Sequence, residues 1–180
     1  MAAASAAQVQ QDLLMFYDEW WRRFGDRLLG LGQAEYLWEP VPGCWTVRAT
    51  ARGPEVDRVE PEPDPAPVTT IAWRLWHIGV ETLDGYAARV FSRAATGFTD
   101  TEFTLDVAVA LDAVERAAAG FRAGLVAMGP NWLFDELGPT YGPYADATFL
   151  GLVLHVIDEL VHHGAETALL RDLYRAGMAT

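Results

Sequence analysis

The sequence predicts an all-α protein, a bundle of four long helices with a long crossover between the first and the second. Three observations predict it. Four segments repeat their apolar residues every three or four positions. Each is long enough to cross a small domain, and nothing in the sequence demands a β-sheet. With 180 residues, the chain fits one domain, residues 1–180, with a core of its own.

The first segment runs from about Gln10 to Leu31, with Leu13, Tyr17, Trp20, Phe24, Leu28 and Leu31 on one face and Gly30 and Gly32 ending it. Gly32 to Val68 then reads as non-helical. Tyr36, Trp38 and Trp45 stand near its start, and Pro54, Pro61, Pro63, Pro65 and Pro67 keep the rest extended. So long a connection would usually argue against the assignment or point to function; here these aromatic residues are expected to cover one end of the bundle. The second helix starts at Thr69 or Thr70, each a good N-cap, and reaches about Arg93. Being apolar on several sides, it belongs deep in the protein. The third spans roughly Thr104 to Met128, with Val107, Leu111, Val114, Ala118, Phe121, Leu125 and Met128 as its stripe. The last covers about Asp146 to Ala176 and is closed by Gly177.

Composition narrows the partners. Hydrophobic residues at 51% and charged residues at 21% give an ordinary globular balance, so disorder is confined to the ends and the proline-rich stretch. A net charge of -12, with arginine as the only strong base, repels phosphate backbones and argues against nucleic acid. The single cysteine, Cys44, allows no internal disulfide and suits a reducing cytoplasm; it reads as a packed small residue. Met1 to Gln11 lacks the basic start and apolar core of a signal peptide. The apolar run around Phe149 to Ile157 is too short for a bilayer, so no membrane partner is expected.

All four histidines lie on two helices: His77 on the second, and His155, His162 and His163 on the fourth. His155, Glu159 and His163 recur every four residues and so share a face flanked by Leu152, Val153, Val156 and Leu160. Imidazoles and a carboxylate facing an apolar interior are costly unless paired or bound to a metal. His155 and His163 stand about 12 Å apart along the axis. Zinc needs its donors at about 2.0–2.2 Å, so one ion takes His155 with Glu159, or Glu159 with His163. His77 is the only histidine that another helix can add. The spacing leaves both sets open. It leaves open as well the plainer reading, a satisfied core histidine or a hydrogen-bonded surface pair.

Around these histidines the chain resembles the DinB-like proteins. The segment Trp38 to Arg48, WEPVPGCWTVR, resembles their tryptophan-bearing loop. Thr70 to Gly79, TIAWRLWHIG, resembles the start of their second helix, with its metal-binding histidine. His155 to Arg171 resembles their last-helix motif. The resemblance covers most of the chain and leaves a proline-rich insertion at about 49–66. Many members use three histidines; Glu159 at one of those positions is similar instead to the mycothiol-dependent maleylpyruvate isomerase branch. By that resemblance the ligands are His77, Glu159 and His163.

Around that set, His162 is expected to make a packing or outer contact, and His155 to line the pocket or donate to Glu159. Asp158 could orient a ligand imidazole or simply face solvent. Glu81 is a weaker candidate for a further ligand. Arg74 and Arg171 are expected to be solvated rather than to bind an anion. The resemblance implies one divalent ion, zinc first and nickel or another metal second. It further implies a low-molecular-weight thiol such as mycothiol, a small-molecule electrophile, and a metal-dependent thiol S-transferase, with the bundle end near Trp38 and Trp45 shaping the pocket. The alternatives are a metal-dependent hydrolase and a non-catalytic metal-binding stress-response bundle. Broad apolar stripes favour a homodimer.

Overall fold

The computed structural model describes residues 4–178, so the first three residues of the Met1–Gln11 stretch and the last two of the chain lie outside the description. The fold is all-α apart from one small hairpin.

Helix α1 (Ala6–Leu28) begins a turn earlier than the apolar repeat suggests, because the Ser5 side chain accepts a hydrogen bond from the Gln8 backbone and caps it. Leu13, Tyr17, Trp20, Phe24 and Leu28 are its buried face. The Tyr17 hydroxyl donates to the Ala118 carbonyl at 2.9 Å, fixing α1 against the third rod.

The crossover is more structured than its prolines suggest. A one-turn helix α2 (Gln33–Tyr36) follows α1, and strands β1 (Val47–Thr50) and β2 (Gly53–Val56) pair antiparallel, Val47 opposite Val56 and Thr50 opposite Gly53. Gly53 takes a φ of 128, which a side chain would resist. The non-helical reading of Gly32 to Val68 is therefore corrected at α2, and the hairpin is a small addition to an all-α fold. Only Val47 and Val56 of the hairpin turn inward, too few to write an alternating pattern into the sequence. The proposed insertion thus begins inside a strand. Its return leg is tied down: Trp45 donates to the Val68 carbonyl at 2.9 Å, and the Trp73 indole to the Asp57 carbonyl at 2.8 Å.

The second rod is continuous but not uniform. Helix α3 (Ile71–Trp76), capped by Thr70, passes into a π-helical segment, His77–Asp84, and then into α4 (Gly85–Phe91). Ser92, in the left-handed region, ends it. Ile71, Leu75, Ile78 and Leu83 are wholly buried, as expected of a central rod. The π segment packs against α5 and α6. At Gly79 an added Cβ would come within 2.9 Å of Val114, so this glycine lets the segment approach α5.

Helix α5 (Val107–Ala127) is capped by Asp106 and α6 (Phe149–Leu173) by Thr148. Ala110, Ala113, Ala117 and Ala118 keep the α5 surface flat, while Met128, from the predicted stripe, is exposed. At Gly164 an added Cβ would come within 2.8 Å of the Trp20 ring, so α1 and α6 meet through that glycine.

Arg171 departs from expectation. It is fully buried and grips Glu35 through Nε at 2.7 Å and a second nitrogen at 3.2 Å. It also donates to the carbonyls of Arg27 and Leu29, closing the end of α1. Burial rather than solvation follows from its register: Leu160, Gly164, Thr167 and Arg171 step by four, three and four along the inner face. Among the described residues, no helix is long and apolar enough to cross a membrane.

Candidate metal centre

His77 opens the π segment, and Glu159 and His163 stand one turn apart on α6. The two rods bring all three together. His77 Nε2 lies 3.2 Å from Glu159 Oε2, and His163 Nε2 lies 3.1 Å from the same oxygen. The imidazoles meet edge to face, 4.4 Å between centroids. One ligand atom from each residue falls within 4.8 Å of the others. The histidine side chains are mostly buried, 17% and 12% exposed, and Glu159 keeps 27%. Of the two sets that spacing left open, the geometry assembles the one with His163. His155 is exposed and turns to Tyr86, their rings 5.8 Å apart.

The far side of each ring is equally constrained. His77 Nδ1 is 2.6 Å from Glu81 Oε2, and His163 Nδ1 is 2.7 Å from Glu166 Oε2. Glu81 therefore sits behind His77 instead of joining the ligand atoms. Glu166 was not foreseen; an acid three residues after a histidine is its only signal in the sequence. Asp158 is exposed, which leaves it the solvent-facing role. Arg74 is not solvated: it is half-buried, 2.9 Å from Glu166 and 3.0 Å from His163 Nδ1. His162 makes the outer contact expected of it, 3.3 Å from Glu166 and stacked on His163. With His163 and Glu166 it forms a second, more exposed group with metal-ligand spacing.

Each imidazole thus lies between two carboxylates. A neutral imidazole has one N–H and can donate to only one of them, which leaves a His77 lone pair against an anion, whereas His163 Nδ1 can accept from Arg74. Protonation of both rings relieves this, and so does a cation among the two Nε2 atoms and Glu159 Oε2. Two imidazoles and a carboxylate form the donor set of a divalent site with an open position. Carboxylates on the outer nitrogens are the usual means of fixing the tautomer. The residues fit the ion.

The carboxylates register the same field. Burial alone would raise the Glu159 pKa, but the His77 hydrogen bond and the charges of His163, His77 and His155 outweigh it and hold the group below the ordinary range. Glu81 and Glu166 follow the pattern, burial being overcome for the first by His77 and Arg58 and for the second by His163, Arg74 and His162.

Aromatic packing supports His77. Trp73 stacks on its ring, 5.2 Å between centroids, and Trp45 lies on Trp73 at 5.8 Å. Trp38 instead meets Tyr174, just past the end of α6 and about three turns beyond His163, so of the two loop tryptophans only Trp45 is linked to the site. Cys44 is buried, its thiol pKa raised by burial and by Glu39.

A family model described as the DinB superfamily matches residues 17–167. The chain belongs to the DinB superfamily. Comparison with curated proteins and with solved structures gave no match. Membership brings an association with metal binding that agrees with the His and Glu cluster.

Proposed function

We propose that this DinB protein is one domain, a four-helix bundle that holds a single divalent ion, zinc first, through His77, Glu159 and His163. We propose further that it catalyses thiol S-transfer to a small electrophile in the cytoplasm, as a homodimer. One observation carries the metal reading: both inner imidazole nitrogens face one carboxylate oxygen while both outer nitrogens are already held by carboxylates.

Each residue then has a task. Glu81 and Glu166 accept the Nδ1 protons, so that both Nε2 lone pairs point inward. Arg74 anchors Glu166, and Trp73 keeps the His77 ring from turning. Glu159 contributes the anionic oxygen on which the two nitrogens converge. The ion would supply Lewis acidity, enough to deprotonate a thiol or acidify a water at neutral pH. The choice of a thiol rests on the His, Glu, His pattern shared with the mycothiol-dependent isomerase branch.

The test is turnover by zinc-loaded protein offered a low-molecular-weight thiol with an electrophile, beside a hydrolysable ester. Thioether formation that disappears in His77→Ala supports the transferase. Ester cleavage without conjugation would move the assignment to a hydrolase, and absence of both to a non-catalytic metal protein.

A further inference from the structure

A cleft of about 880 Å³ opens beside the candidate centre, where α4 faces the start of α6. Its volume is that of a small-molecule site. His155, one of its lining residues, stands one turn from Glu159, about 6 Å along the axis. The rings of Tyr86, Tyr141 and His155, together with Leu152, give it flat apolar walls.

Its charge is unusual for this molecule. The chain carries a net charge of -12, yet among the described residues no acidic one lines the cleft. The one fixed charge there is Arg89, whose guanidinium lies over the Tyr86 ring at 5.5 Å. Arg22, Arg48, Arg74, Arg122 and Arg171 all face carboxylates, whereas Arg89, like the exposed Arg23 and Arg93 outside the cleft, pairs with none among the described residues. A guanidinium is a two-pronged donor matched to a carboxylate. Exposed, held over a tyrosine face and paired with no acid of its own chain, it is open to an anion from outside.

We propose that this cleft binds a small planar carboxylate, Arg89 pairing the carboxylate and the aromatic walls enclosing the flat body. The inference deepens the proposed function and rests on it only for the role of the bound molecule as substrate. Binding itself needs Arg89 and the cleft, with or without metal.

Benzoate is a suitable probe, titrated by calorimetry into metal-free and zinc-loaded full-length protein, with acetate and benzyl alcohol for comparison. Benzoate should bind both forms, and each comparison compound more weakly. Arg89→Ala should weaken benzoate by at least about tenfold, the loss of a charge-assisted pair. Arg93→Ala, an exposed arginine outside the cleft, should change nothing. Gly151→Leu should abolish binding in a protein whose circular dichroism is unchanged. Gly151 lines the cleft, and an added Cβ there would meet only the Thr148 hydroxyl at 3.9 Å. Benzoate that binds only the zinc form and ignores Arg89 is sitting on the metal, which overturns the proposal. Absence of binding to either form overturns it too, as does equal binding of acetate or benzyl alcohol. Because the metal-free arm stands alone, failure of the metal assignment would show separately, as protein that takes up no zinc.

Discussion

Two places along α6 turn charged side chains inward, and they solve the problem in opposite ways. Near its end, Arg171 meets Glu35 and two backbone carbonyls, so its donors and the carboxylate are mutually satisfied inside the protein. In the middle, Glu159 and His163 meet His77 in a cluster where carboxylates stand at both nitrogens of each ring, and of the four nitrogens only His163 Nδ1 also has a cation, Arg74, within reach. A closed set of charges fastens elements together. An open one is left short of a cation, and that deficit distinguishes a candidate site from a structural ion pair.

The largest expected effect would break the closed set. Arg171→Met leaves buried Glu35 with only the longer Arg175 contact at 3.7 Å and should cost about 3 kcal/mol of stability in denaturant titrations. Metal bound per folded chain should stay unchanged; a parallel loss of metal would show that the two regions are not separable. A smaller effect sharpens the open set. Glu81→Gln or Glu166→Gln should lower zinc affinity by about 10–100-fold in competition titrations, since each removes the anion that fixes a ligand tautomer.

Acid should act in the metal-free protein through the carboxylates. Glu81, Glu159 and Glu166 lie below their ordinary 4.5 in the folded state. Their contribution to stability is therefore complete above that value and is lost as pH falls through the lowered folded values. The stability difference between wild type and Glu159→Gln should be full at pH 5 and shrink steadily below 4.5, which denaturant titrations across that range can follow. The smallest effect is none: Asp158→Asn, on an exposed position, should leave zinc affinity as it was.

Much of this was written in the sequence, and the omissions have physical causes. The rods follow from their apolar repeats, but their first residues depend on which side chain reaches back to a free N–H. Ser5, Asp106 and Thr148 do so, and each of those three helices starts three or four residues from the boundary read in the sequence. The π segment leaves no compositional mark, although it is where His77 sits and such segments gather at functional sites. The hairpin escaped because two inward valines make no alternation. Arg171 was legible after all, since its spacing from Leu160 placed it on the inner face. At the centre, spacing reduced the choice to two sets and resemblance selected one. Glu166 could be recognised only once the direction of His163 Nδ1 was known, which a linear pattern does not encode.

The most direct measurement is the metal content of purified wild type beside His77→Ala, Glu159→Ala, His163→Ala and His155→Ala. Near-stoichiometric metal should remain in wild type and His155→Ala and fall away in the other three. Equal metal in all five, or its loss in His155→Ala with retention in His163→Ala, would contradict the assignment.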